Sequence, residues 1–185
     1  MKAKLTQQSI LLFEEQGFIE TSIQDIVDAV SVTKGTFYYY FTSKEQLLMD
    51  IHSSYINELL NRQEMISQSS INSREKIKRI VELLVSDIEY YRPSARVFFR
   101  EMRHLTALNA DEIKQKRETF RLKIEQILYE GIENGNFRNN LQPEIVAFAI
   151  LGITNWSYQW FNPKGKTTAK DLSEIYTEMI LIGIK

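Results

Sequence analysis

The chain has 185 residues, 43% of them hydrophobic and 25% charged, with no cysteine and a formal net charge of −1. This composition suits one globular unit or two closely packed ones and excludes a disordered chain. The lack of cysteine excludes a disulfide scaffold and thiol chemistry and, with no signal peptide at "MKAKLTQQSI", points to a reducing cytoplasm.

Only three prolines and seven glycines interrupt the sequence, and apolar residues recur at spacings of three and four, so the expected fold is all-α. Leu5, Ile10, Leu12 and Phe13 define a first helix that ends at Gly17. Thr21 or Ser22 caps a short second helix carrying Ile23, Ile26, Val27 and Val30, and Thr33 caps a third. Ser43 caps a fourth helix through "SKEQLLMDIHSSYINELL". The segment "SQSSINS", residues 67–73, is the most linker-like stretch. Beyond it the pattern predicts helices over Arg74–Tyr91, from Pro93 to Leu105, and over Asp111–Asn134, Pro143–Phe161 and Thr168–Gly183. The uncharged run from Ile145 to Pro163 carries too many polar residues for a membrane span, so a soluble protein with no membrane partner is expected.

The third helix places Phe37, Tyr38, Tyr39, Tyr40 and Phe41 in succession. At about 100° per residue these rings fan around the whole helix. Phe37 and Phe41, one turn apart, can bury together, which leaves the three tyrosines to face outward. Two short helices joined by a tight turn, within residues 22–41, have the proportions of a helix-turn-helix whose second helix enters the DNA major groove. Lys34, Gly35 and Thr36 occupy its first turn, where backbone N–H groups favour phosphate and Gly permits close approach. Bulk charge does not advertise nucleic acid: residues 1–50 hold four Lys (Lys2, Lys4, Lys34, Lys44) against seven acids, and residues 51–185 hold 19 basic against 17 acidic groups.

The stretch "LLFEEQGFIETSIQDIVDAVSVTKGTFYYYFTSKEQLL" resembles the DNA-binding domain of the TetR family of bacterial transcriptional regulators, in spacing and residue type across four helices. Ser31 departs from that pattern, which usually has Gly in the turn. The resemblance implies that Thr33, Lys34, Gly35, Thr36 and Tyr39 approach bases or adjoining phosphates, while Ser22, Tyr38, Tyr40 and Lys44 grip the backbone. It also implies an N-terminal DNA-binding domain over 1–50 and a helical ligand-binding and dimerisation domain over 51–185. The function implied is that of a ligand-responsive regulator, a repressor released from a palindromic operator by a small molecule.

Ile145 to Ile153 is apolar on every side and the last helix carries a stripe of Leu172, Ile175, Tyr176, Met179 and Ile180. A homodimer contact through Ile145, Phe148, Gly152, Ile175 and Met179 is therefore expected. "LGITNWSYQWFNPKG", residues 151–165, resembles the C-terminal signature of a TetR branch related to regulators of sterol-ring and fatty-acid breakdown, which implies an acyl-CoA thioester as effector. Asn155, Trp156 and Trp160 would either line an apolar pocket or stiffen the dimer contact. Arg92, Arg96, Arg100 and Arg103 fall within an arc of about 80° on one helix, beside Ala95, Phe98, Phe99, Met102 and Leu105. An apolar arc beside an arginine stripe suits an amphiphilic anion, its phosphates on the guanidinium forks.

An enzyme is not expected. Glu101 and His104 have the Glu-x-x-His spacing of di-iron bundles but no second copy, and no phosphate loop, HExxH or nucleophile triad is present, so no metal or cofactor is assigned. The competing reading is a helical ligand-binding or interaction module without functional DNA reading, which the acidic first fifty residues favour.

Overall fold

The computed structural model describes residues 1–184, the side chain of Arg92 excepted. Among these residues the regular structure is entirely helical: α1 (Lys2–Gln16), α2 (Ile23–Ala29), α3 (Lys34–Tyr40), α4 (Lys44–Ser67), α5 (Ser73–Tyr90), α6 (Arg92–Arg100), α7 (Ala107–Glu133), α8 (Pro143–Trp160) and α9 (Ala169–Gly183). No helix among them is long and apolar enough to cross a membrane.

Three boundaries differ from the periodicity reading. The fourth helix continues to Ser67, which shortens the connection to α5 to residues 68–72. The helix expected to reach Leu105 stops at Arg100, because Glu101 adopts φ −98° and ψ 0°, and a 3₁₀ turn, Met102–His104, follows. α7 begins four residues before Asp111, at Ala107, with the Thr106 hydroxyl accepting from the Asn109 N–H.

The chain forms two compact units, and neither is one continuous stretch: Met1–Asn57 with Pro93–Lys114, and Glu58–Arg92 with residue 115 onward. The divisions fall inside α4, after the first residue of α6, and inside α7. Neither Asn57–Glu58 in α4 nor Lys114–Gln115 in α7 is marked by a Gly or Pro, so the sequence carries no local signal of those two divisions.

In the first unit α2 packs against both α1 and α3. Its core holds Leu5, Phe13, Ile26, Val27, Phe37, Phe41, Leu47 and Leu48, all essentially inaccessible, and burial of each such side chain is worth about 1.5–3 kcal/mol. Phe13 meets Phe18 edge to face at 5.3 Å, and Phe37 lies 5.4 Å from Phe41. The Phe98 ring sits 4.8 Å from Tyr55 and 5.3 Å from His52.

The second unit is built around α5, which packs on α9 and α8 and buries Ile77, Ile80, Val81, Leu84, Val85 and Ile88. Buried Gln63 donates to the Phe120 carbonyl at 2.8 Å and so fixes α4 to α7. The Ser157 and Tyr176 hydroxyls meet at 2.8 Å and join α8 to α9. At Gly131 an added methyl would overlap the Phe137 ring, so glycine is required for that ring to close on α7.

Candidate functional site

The α2–α3 pair is assembled from local signals. Ser22 caps α2: its hydroxyl accepts from the Asp25 N–H at 3.1 Å while the Asp25 carboxylate accepts from the Ser22 N–H at 2.7 Å. At the other end the Val32 N–H donates to the Val27 carbonyl and the Ser31 N–H to that of Asp28, the paired bonds of a Schellman stop. That stop needs a left-handed residue, and Ser31 supplies it at φ 55°. The serine is therefore accommodated where Gly is usual, at a backbone cost of about 1–2 kcal/mol.

α3 starts on Thr33, whose hydroxyl accepts from the Thr36 N–H and lies 3.3 Å from the Thr36 hydroxyl. Phe37 and Phe41 are buried, which turns Tyr38 (55% accessible) and Tyr39 (81%) outward. Tyr40 is half-buried and meets Tyr39 edge to face at 4.9 Å. Lys34 and Gly35 are exposed, and a Cβ at position 35 would find only an ordinary contact, 3.5 Å from Thr33 Oγ1. Nothing inside the chain demands glycine there. Ser22, Thr33, Lys34, Gly35, Tyr38 and Tyr39 thus lie on the surface of one unit, with Thr36 and Tyr40 half-buried beside them.

Lys44 is different. Its ammonium donates to three backbone carbonyls, Phe18 at 2.6 Å, Ile19 at 3.3 Å and Thr21 at 2.6 Å, and lies 4.4 Å from the centre of the Phe18 ring. Burial pushes its pKa down, against the nearby Glu20 and Asp25 carboxylates, which raise it. An ammonium has three N–H donors, so in the free chain none is left for the phosphate grip expected of this residue. The acceptors lie 23 to 26 residues upstream, where sequence spacing gives no hint of them.

The arginine stripe is also committed internally. Arg96 Nη1 pairs with Glu14 Oε1 at 2.6 Å, and Arg100 Nη1 donates to the Glu14 carbonyl at 3.3 Å. Arg103 leaves the stripe because α6 ends before it, and its Nε lies 3.2 Å from His104 Nε2. The His104 ring stacks on Phe18 at 5.5 Å and its Nε2 is 3.4 Å from the buried Glu101 carboxylate. The Arg92 side chain lies outside the described residues. α1 thus supplies the partner of both Arg96 and Arg100.

The eight expected effector residues fall in separate units, with Arg96, Phe99, Arg100, Met102 and Arg103 in the first and Asn155, Trp156 and Trp160 in the second. Trp156 and Trp160 are 64% and 53% accessible, so within their unit they do not line an enclosed pocket. They share the outer arc of α8, about 120° wide, with Ile145, Phe148 and Gly152. On α9, Ile175, Met179 and Ile182 are exposed as well. A groove of about 260 Å³ runs between these helices, lined among others by Val146, Ile150, Ile153, Met179 and Ile180.

Residues 70–184, more than half of the chain, match the family described as "Tetracyclin repressor-like, C-terminal domain", and residues 6–51 match "Bacterial regulatory proteins, tetR family". The chain belongs to the TetR family. As a TetR-family member it is a regulator and not an enzyme. It is 26% identical over 185 residues to the HTH-type transcriptional repressor KstR2 of Rhodococcus jostii (strain RHA1), covering 99% of this chain and 90% of that one. Among solved structures it is similar to the ketosteroid transcriptional regulator KstR2 of Mycobacterium tuberculosis, at 25% identity and a TM-score of 0.90, over 100% of this chain and 94% of the other. AibR in complex with isovaleryl coenzyme A and operator DNA superposes with a TM-score of 0.87 at 22% identity, over 96% of each chain, a likeness of fold.

Two features of this TetR-family chain escaped the periodicity reading. Ile182 extends the exposed stripe of α9, and its seven-residue spacing from Ile175 was the available signal. Arg121 on α7 is nearly buried, paired at 2.6 Å with Glu118 and with Glu125, and its guanidinium lies 4.8 Å from the Phe148 ring. The i−3 and i+4 carboxylates were legible in sequence, but the ring beneath them was not.

Proposed function

We propose that the chain is a homodimeric transcriptional repressor that reads a palindromic operator with α3 of each head and releases it when an acyl-CoA thioester binds. The observation that carries the DNA reading is the outward row Thr33, Lys34, Gly35, Tyr38 and Tyr39 on a helix pinned from behind by Phe37 and Phe41. Two adjacent exposed tyrosines beside a glycine that internal packing does not require make a surface suited to close approach by phosphates and base edges.

The dimer reading is supported by the apolar α8–α9 face, since exposed patches of this kind mark association surfaces. Ile145, Phe148, Gly152, Ile175 and Met179 are its proposed core, with Trp156 and Trp160 reassigned to it from the effector site. Twofold symmetry sets the two reading helices one DNA turn, or a multiple, apart. The effector acts by population shift, through unequal affinity for the states that do and do not fit the operator. The thioester class is suggested by AibR, solved with isovaleryl coenzyme A, and a ring-containing acyl group by the likeness to KstR2, described as a ketosteroid regulator. The cytoplasm is the proposed location.

The test is fluorescence anisotropy on a duplex selected by the protein from a random pool, titrated with long-chain and ring-containing acyl-CoA thioesters. Release by a thioester, and not by free CoA or the free acid, is expected. Binding without release discards the thioester. A second reading, a helical module that does not read DNA, is favoured by the acidic head, and it predicts no salt-dependent duplex binding at all.

A further inference from the structure

We propose that Lys44 is a positioning residue that closes the helix-turn-helix on itself, rather than a phosphate contact; this rests on the DNA reading above. Thr21 immediately precedes the cap of α2, and Lys44 opens α4 immediately after the Ser43 cap that follows α3. The 2.6 Å bond from Lys44 Nζ to the Thr21 carbonyl therefore joins the entrance of the α2–α3 pair to its exit.

Both ends of this tie are themselves fixed. Thr21 is fully buried, its hydroxyl donates to the Gly17 carbonyl at 2.8 Å, and it accepts from Gln16 Nε2 at 3.2 Å. Ser22, the next residue, is held in the capping box with Asp25. At the exit, buried Phe41 terminates α3, and Ser43 accepts from the Gln46 N–H at 3.0 Å. Three convergent carbonyls facing one point leave a compact ammonium as the matching donor, and the planar fork of arginine does not fill that role. Turning Lys44 out to a phosphate would strand these carbonyls, part of them away from solvent.

The consequence concerns which groups hold DNA. Of the four lysines in residues 1–50, Lys44 is consumed internally, and Lys2 pairs with Asp50 at 3.0 Å and covers the Phe41 ring. Lys4 and Lys34 remain for phosphates, so neutral donors such as Tyr38, Tyr39 and Ser22 take a larger share.

The test compares wild type, Lys44→Met and Lys44→Arg on the selected duplex and a scrambled duplex of equal length, across a range of salt. Lys44→Met is expected to lose about tenfold in preference for the selected duplex, with the slope of log K against log salt unchanged and with no rescue by Lys44→Arg. A phosphate contact predicts the opposite: a slope shallower by about two units per dimer and full rescue by arginine, which overturns the proposal. Reductive methylation of the wild-type protein without DNA supplies a second reading, read by mass spectrometry. Lys44 is expected to resist modification while Lys34 reacts, and equal reactivity overturns the clamp whether or not the variants fold. If the wild type selects no duplex, the DNA reading fails, and methylation still decides the clamp.

Discussion

The Arg96 guanidinium sits 2.6 Å from the Glu14 carboxylate and ties α6 to the last turn of α1. Both side chains are part-exposed, so screening limits the pair to about 0.5–1 kcal/mol. Glu14→Gln should lower the melting temperature by about 2–3 °C, and the exchanged pair Glu14→Arg with Arg96→Glu should recover part of it. A double-mutant cycle with no coupling energy would reduce the contact to coincidence.

Gly35→Ala separates fold from function. Alanine meets no obstruction at that position and has the higher helix propensity, by about 1 kcal/mol in a helix interior. The variant should melt at or slightly above the wild-type temperature while duplex affinity falls by about tenfold, the scale of one lost base-level contact. Unchanged affinity would show that DNA does not approach this turn.

Ser31→Gly should stabilise. Serine at φ 55° carries left-handed strain of about 1–2 kcal/mol, partly offset in the variant by the greater freedom of an unfolded glycine. The expected net gain is about 0.5–1 kcal/mol, or about 2–4 °C, measured by thermal melting monitored with circular dichroism. A lower melting temperature would mean that the serine hydroxyl compensates the strain.

Trp156→Ala tests the dimer face. With Trp156 64% accessible, the protomer's own fold should be little affected. Dimer dissociation measured by sedimentation should strengthen at least tenfold, because buried aromatic anchors at interfaces are worth about 2 kcal/mol or more. An unaltered association constant would move the interface away from α8.

Acid should weaken two helix starts. The Ser22 N–H and hydroxyl hold the Asp25 carboxyl below its ordinary 3.8, and Thr168 does the same for Asp171 on α9. A depressed folded pKa means that the unfolded chain takes up the proton first, so this stabilisation is complete above the ordinary value and fades as pH falls through the lower folded one. Melting curves collected from about pH 6 down to about pH 3 should fall more steeply for the wild type than for a variant carrying Asp25→Asn and Asp171→Asn.

What was legible in the sequence is what repeats locally. Caps at Ser22, Thr33, Ser43 and Thr168, the Gly17 stop, and the one-turn spacing of Phe37 and Phe41 all act within a few residues, and the helices follow them. The internal partners of Lys44 and Arg96 were not legible for the converse reason: a cation on a helix reads as solvent-facing until its acceptor is located. Those acceptors, backbone carbonyls of a loop in one case and Glu14 in the other, lie 23 to 26 and 82 residues away. The early end of α6 was equally hidden, since Glu101 is a good helix former whose conformation departs from the helix where its side chain is buried.

The hydroxyl pair Ser157–Tyr176 has a mechanical meaning. Ser157 also donates into its own helix, to the Ile153 carbonyl, so the α8 end of the link is a braced point rather than a swinging side chain. Sliding α9 along α8 by even one turn breaks it, so the two helices behave as a single plate. Two such plates pressed together would form a keel: a part whose task is to stay still, so that movement elsewhere in the molecule has something to be measured against.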